Sequence, residues 1–327
     1  MTERDKIKLS RLKEVFERNF KITNMYAQYL ERYPEVITEE MINALTEDGD
    51  VTKEEAIVAL LSEIFALDFA NIYDRNLIRD YLTPSVRLLD KNKYENDPYY
   101  KNIKLQNISD GKWEIRLEEY KPYRGVICHD MMIFDDFREV PPLGFFTETF
   151  RFPAILENGN EWMTLTPVDL DTCEEAIAAA RGRVVTFGLG LGYYAYMAAR
   201  KDEVESVTVV ELSSQVIELF KRHILPQMDC ADKIKIVNMD AFEYAEKIMP
   251  NEGFDLAFVD TWRDASDGAP MYKKMKTLEK LSEGTKFLYW IENFLISRLR
   301  ALRYQELLDS PTESFDDAVK KLKEDFL

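Results

Sequence analysis

Three glycines on alternate positions, Gly188, Gly190 and Gly192, follow directly on the strand-like run Val184-Val185-Thr186-Phe187, and Tyr193 to Arg200 then read as a helix. A turn without side chains lets a ligand lie against the backbone there, and the helix N-terminus offers unpaired N–H groups. Nineteen residues after Gly192, a second strand-like run, Val207-Thr208-Val209-Val210, ends in Glu211. An acid at that point can accept both hydroxyls of a ribose, which is how nucleotide-type ligands are held on open α/β sheets. A glycine triplet alone says little. Here it comes with its strand, its helix and its acid in order.

Further acids stand at comparable places. Asp240, in Asn238-Met239-Asp240-Ala241-Phe242, precedes a helical stretch and serves equally well as its N-cap. Asp260 closes the apolar run Leu256-Ala257-Phe258-Val259, at the sheet edge where ligands sit. Asp264 and Asp267 follow within the turn-rich segment Thr261–Gly268, so three acids could hold a cationic acceptor, unless Arg263 neutralises one of them. His129 and His223 have no acid or cysteine partner in a recognisable pattern and read as structural; Trp162, Trp262 and Trp290 read as core or pocket wall. A dinucleotide fingerprint fits Gly190-Leu191-Gly192-Tyr193-Tyr194-Ala195 only formally. Counted from the strand end at Gly188, its third position is Tyr193, whose ring would block close helix–sheet packing, so nicotinamide or flavin binding is the weaker reading.

These residues need a frame, and the chain supplies one. Strands are predicted at Val184–Phe187, Val207–Glu211, Ile234–Val237, Leu256–Asp260 and Phe287–Ile291, with helices between them; near-continuous apolar runs mean strands buried on both faces, as in a parallel sheet. Pro167 opens a helix that runs through Ala180. Residues from about 3 to 110 read as helical. Leu12, Val15, Phe16, Phe20, Ile22, Tyr26 and Leu30 form a stripe that stops near Pro34, and Thr52 with Glu55 forms a capping box. Glu47-Asp48-Gly49-Asp50 lacks the pattern of a calcium loop and reads as a turn. From Gly111 to about Thr166, alternating and punctuated apolar runs predict short antiparallel strands. The expected domains are thus a helical N-terminal domain (1–110), a β-rich connector (111–166) and an α/β domain with a helical C-terminus (167–327).

The region from about Arg183 to Asp260 resembles class I S-adenosylmethionine-dependent methyltransferases, and within them most closely the spermidine synthase branch, which uses decarboxylated S-adenosylmethionine. The resemblance rests on the glycine loop, on Val204–Glu211, on Asn238–Phe242 and on Phe254–Asp260. It implies an α/β, Rossmann-like, mostly parallel sheet and S-adenosylmethionine as cofactor. Gly188, Gly190 and Gly192 would face the methionine end and ribose, Glu211 would grip the ribose hydroxyls, and Asp240 would accept from the adenine amino group with the Ala241 backbone nearby. Asp260 would lie beside the sulfonium.

Departures from the family are equally legible. Thr186 stands where many methyltransferases carry an acid that binds the cofactor's amino group; spermidine synthases lack that acid too, so this departure favours their branch. The tyrosine-histidine-glutamate stretch of the latter is replaced by Trp162-Met163-Thr164-Leu165-Thr166-Pro167-Val168-Asp169, and no Asn/Asp-Pro-Pro-aromatic motif is present. Only 36 residues follow Ile291 and they read as helical, so the usual closing pair of strands is expected to be absent. The expected function is methyl transfer to a small or cationic acceptor, with Asp260 or Asp264 orienting or deprotonating it. Aminopropyl transfer to a polyamine and a catalytically inactive adenosyl-ligand-binding protein are the alternatives.

Composition bounds the rest. A net charge of −17 over 327 residues opposes nucleic-acid and anionic-membrane partners. Hydrophobic residues at 46% suffice for a real core. Cys128, Cys173 and Cys230 match no metal spacing and suggest reduced thiols in a cytoplasmic protein, and no metal is expected. The charged Met1–Lys6 segment has no apolar stretch after it, so no signal peptide is expected, nor any membrane span. The N-terminal helices carry apolar stripes without clustered catalytic residues, which makes them a lid or the contact of a homodimer.

Overall fold

The computed structural model describes residues 3–309. In chain order the helices α1 (Glu3–Arg32), α2 (Glu39–Thr46), α3 (Lys53–Ile64) and α4 (Ile72–Leu77) come first. A π turn at Ile78–Leu82 then leads into the single turn α5 (Thr83–Ser85). Strand β1 (Val86–Leu89) and the short helices α6 (Lys91–Glu95) and α7 (Pro98–Asn102) precede the strand-rich middle. That middle comprises β2 (Ile108–Asp110), β3 (Trp113–Tyr120), β4 (Gly125–Ile127), β5 (Met132–Ile133), β6 (Glu139–Val140), β7 (Leu143–Phe146), β8 (Phe150–Glu157) and β9 (Asn160–Thr164). Helix α8 (Pro167–Ala179) opens a strict alternation. It runs β10 (Gly182–Phe187), α9 (Tyr193–Ala199), β11 (Val204–Glu211), α10 (Ser214–His223), β12 (Ile234–Asn238), α11 (Ala241–Lys247), β13 (Leu256–Val259), α12 (Ala265–Leu278), β14 (Lys286–Tyr289) and α13 (Glu292–Asp309).

Contacts cluster the described residues into two units, each discontinuous along the chain: 3–89, 120–150 and 293–309 form one, 90–119 and 151–292 the other. In the first, Ile22, Tyr26 and Tyr29 of α1 join Ile57, Leu60 and Leu61 of α3, Tyr81, Leu82 and Phe145 in one apolar core. The buried face of α1 runs Leu12, Phe16, Asn19, Ile22, Tyr26, Tyr29. Phe20, placed in the stripe by its sequence spacing, is 70% exposed, because this face drifts around the helix away from it. The Thr52–Glu55 capping box forms at the start of α3, a motif worth about 1 kcal/mol. Strand β1 corrects the expectation of helix through residue 110. A four-residue apolar run cannot be assigned by periodicity, and its parallel partner β7 lies far downstream. The strand-rich middle forms three sheets: β1-β7-β4, the hairpin β5-β6 and β2-β3-β8-β9. Apart from β1 with β7, its described pairings are antiparallel, as expected.

The second unit contains the five-stranded sheet, ordered β12-β11-β10-β13-β14 and parallel throughout. Val184, Val185, Thr186 and Phe187 are all buried, so the central strand is covered on both faces, which is why it reads as an unbroken apolar run. All five predicted strands are present within a few residues of their predicted ends. Among the described residues β14 is the last strand, and the chain continues as α13. The chain order reverses beside β10, and an open α/β sheet places its crevice beyond the strand ends at such a reversal.

Candidate functional site

A cavity of about 490 Å³ opens at that place, past the C-terminal ends of β10, β11, β12 and β13. Of the residues singled out in the sequence, Gly188, Gly190, Glu211, Asp240, Ala241 and Asp260 line it together. Gly192 and Asp264 are not among its lining residues.

The glycine loop is shaped by its neighbours as well as by any ligand. Gly188 has φ of +99°, and a Cβ there would run into the backbone carbonyl of Asp260. Its N–H donates to the Val210 carbonyl at 2.9 Å. A Cβ on Gly190 would meet the thioether of Met163, whose Sδ also accepts the Leu191 N–H at 3.2 Å. Space expected for a ligand over Gly190 is therefore partly filled by a side chain from β9. Gly192 caps α9 with φ of +76°, and a Cβ there would strike the Phe220 ring of α10. Its role here is helix packing.

The acids divide by what already holds them. Glu211 accepts the Leu189 N–H at Oε2 (3.0 Å) and the Ser213 N–H at Oε1 (2.7 Å), which ties the glycine loop to the end of β11. Each oxygen keeps a second lone pair for a hydroxyl donor. Asp240 caps α11 through the Glu243 N–H at 2.9 Å with Oδ1 and also faces the cavity. Asp264 is committed to capping α12: its Oδ1 accepts from the Ser266 N–H at 2.6 Å and from the Ser266 hydroxyl, which holds the carboxyl below its ordinary range. Asp267 lines the cavity while accepting the Arg263 and Asp264 N–H groups at 3.2 and 3.1 Å.

Asp260 is different. No side-chain hydrogen bond holds its carboxyl among the described residues, and burial, with the charges of Asp169 and Glu211, pushes it well above the ordinary carboxylate range. Asp169 is the residue that sequence reasoning missed. It stands at the third position of α8, where its Oδ2 accepts the Thr166 N–H (2.7 Å) and hydroxyl (2.8 Å), and burial raises it to about 6. Glu161 is a further missed acid on the wall. Both belong to the segment around Trp162–Asp169 that departs from the spermidine synthase pattern, which was the one signal pointing at them.

Among the described residues six carboxyl side chains thus line the cavity, from Glu161, Asp169, Glu211, Asp240, Asp260 and Asp267, against a single guanidinium. That cation, Arg263, lies over the Trp162 ring at 5.0 Å, a cation–π contact. Trp162, Trp262 and Trp290 all wall the cavity, as expected, and Trp113 meets Trp162 edge-on at 5.4 Å. Neither histidine reaches the cavity. Such a site attracts cations and presents apolar faces, and its acids can accept hydroxyl and amino hydrogens.

Residues 183–295 match the sequence model of the spermine/spermidine synthase domain, a branch of the S-adenosylmethionine-dependent methyltransferase-like fold, which bears out the resemblance read from the motifs. The match spans β10 to the start of α13. Solved structures similar to the chain include spermidine synthase from Thermotoga maritima, at 16% identity over 46% of this chain and 59% of that one, with a TM-score of 0.31. A spermidine synthase in complex with the transition-state analogue AdoDATO shares 22% identity over 34% of this chain and 43% of that one (TM-score 0.27). Cofactor-bound Rv0187 from MTB shares 20% identity over 43% and 66% (TM-score 0.31). The chain therefore spans between 43% and 66% of the length of these structures. No curated protein matches it.

Proposed function

We propose that this protein transfers an alkyl group, in the first reading the methyl group of S-adenosylmethionine, to a small cationic amine. The observation that carries the proposal is the cavity at the strand ends, with six carboxyls, one guanidinium and three tryptophans on its walls. A sulfonium donor and an ammonium acceptor are both cations, and they meet most readily where carboxylates lower the cost of bringing them together. When bound, the donor supplies an electrophilic carbon on its sulfonium. The chain's own work is positioning and exclusion of water. Glu211 orients the ribose with the lone pairs that its two backbone bonds leave, Asp240 and the Ala241 backbone address the adenine, and Asp260 faces the reacting centre. Asp264, spent on its helix cap, drops out of the acceptor role.

The replaced segment Trp162–Asp169 supports methyl transfer over the polyamine chemistry of the matched domain's namesakes. Aminopropyl transfer from decarboxylated S-adenosylmethionine is the second reading. It is favoured by Arg263 as the only cationic side chain that the described residues place on the wall, since this leaves few partners for a methionyl carboxylate. A homodimer through the N-terminal helices belongs to the same proposal, on the exposure of Phe20, Phe69 and Ile72; sedimentation of the full chain as a monomer at all concentrations would remove it. The reaction is tested by incubating the full chain with each donor and a panel of amines and reading product masses. A methyl adduct supports the first reading and an aminopropyl adduct the second. Binding of both donors without any product would make the protein an adenosyl-ligand binder.

A further inference from the structure

The cavity adjoins a recess of about 20 Å³, room for one water-sized group. Asp169 and Asp260 are the two carboxyls that line both spaces, one from the first turn of α8 and the other from the end of β13. Thr166 occupies one oxygen of Asp169 only, and Asp260 has no side-chain hydrogen bond among the described residues. The negative charges that bear on Asp260 are those of Asp169 and of Glu211 of β11, and the one that bears on Asp169 is that of Glu161 of β9. The Cys173 thiol of α8 faces both and is held neutral by burial. The one cation that the described residues place on the cavity wall, Arg263, is seated on Trp162.

A second observation points to the same recess. Tyr194, 6% exposed, lines it with its ring packed on Phe258 at 4.3 Å, and its hydroxyl is buried without a hydrogen-bond partner. Buried hydroxyls in native proteins are paired, so the recess is built to hold a group that can accept from it.

Two carboxylates on the wall of one small recess repel, and one shared proton removes that repulsion. We propose that Asp169 and Asp260 act as a pair that holds one proton between them and takes the proton of the acceptor's ammonium. The inference rests on the transfer reading above and adds Asp169 to it as a base. The acceptor ammonium gives its proton to the ionised member of the pair. The freed nitrogen lone pair forms the new N–C bond while the C–S bond breaks, and the electron pair stays on sulfur as a neutral thioether. A base of this kind works best when it is partly ionised near neutral pH, and Asp169, raised to about 6, meets that condition.

The test uses the full chain labelled with carbon-13 at aspartate and no ligand, followed by pH–rate profiles. Asp260 should titrate above its ordinary range, and in Asp169→Asn its midpoint should fall by about one pH unit or more. Asp260→Asn reads the same coupling from the Asp169 side, should the first variant not fold. The acid limb of kcat/KM should move in Asp169→Asn while turnover falls roughly 10²–10⁴-fold, and Asp169→Glu should restore part of both. An Asp260 titration unchanged by Asp169→Asn overturns the pair. Coupled titration with an unmoved acid limb overturns the base role. Coupled titration without turnover on any amine overturns the transfer reading, and the base role with it.

Discussion

Asp169 shows how a site residue can also strain its own fold. Burial raises its carboxyl to about 6, above the ordinary value of an unfolded chain. The folded state therefore binds this proton more tightly than the unfolded state, so the stabilisation is complete below about pH 4 and is lost as the pH rises through about 6. The loss amounts to ~3 kcal/mol at neutral pH. Asp169→Asn keeps an oxygen to accept from Thr166 and removes the charge, so it should melt at higher temperature than the wild type at neutral pH and at the same temperature near pH 4. A lower melting temperature at neutral pH would show that the carboxylate's cap outweighs its burial. Asp169 could not be found as a site residue in the sequence because its spacing from Thr166 reads as a helix cap, which it also is. That it shares a recess with Asp260, 91 residues downstream, is a product of the tertiary fold. Glu211 was legible for the opposite reason: its position follows from the strand alone.

At the scale of elements, the glycine loop separates what sequence can and cannot specify. Strand, loop and helix were readable from the apolar run, the alternate glycines and the residues after them. What each glycine touches was not, because Asp260, Met163 and Phe220 reach the loop from β13, β9 and α10. The three positions should therefore respond differently. Gly188→Ala meets a backbone carbonyl at φ of +99° and should cost about 2–3 kcal/mol or more. Gly190→Ala displaces only the flexible end of Met163 and should cost about 1 kcal/mol less, with its larger effect on ligand affinity. Thermal melts of both variants check the order, and equal losses would mean that the loop relaxes as one piece. In the other unit, Asp130 accepts the Asn293 and Phe294 N–H groups at 2.9 and 3.0 Å and so caps α13. Asp130→Ala should lower stability by about 1–2 kcal/mol without altering the cavity, as chemical denaturation would show. No local sequence pattern joins residue 130 to this helix.

For the whole molecule, charge is the property that the sequence declared most plainly. The net charge of −17 disfavours polyanionic partners by repulsion, and the cavity concentrates the same sign at one place. Among the described residues no helix is long and apolar enough to cross a membrane. Raising ionic strength from about 0.01 to about 0.15 M shortens the screening length from about 30 to about 8 Å. The KM for a cationic acceptor should rise with salt over this range, and that of a neutral amine analogue should stay flat; parallel changes in both would detach recognition from the field. The five-stranded sheet was legible because its strands are sequence-local and buried on both faces. The two discontinuous units were not, since they arise from contacts between distant segments.

The proposed transfer requires that this cavity bind an S-adenosyl donor through Glu211 and its neighbours. Calorimetry on the full chain with S-adenosylmethionine, decarboxylated S-adenosylmethionine, S-adenosylhomocysteine and NAD, repeated on Glu211→Gln, addresses it most directly. Binding of the adenosyl sulfur compounds but not of NAD is predicted, weakened by about 1–3 kcal/mol in the variant, the scale of an incomplete charge-assisted hydrogen bond. Preference for NAD, or adenosyl binding with unchanged affinity in a folded Glu211→Gln, would contradict it.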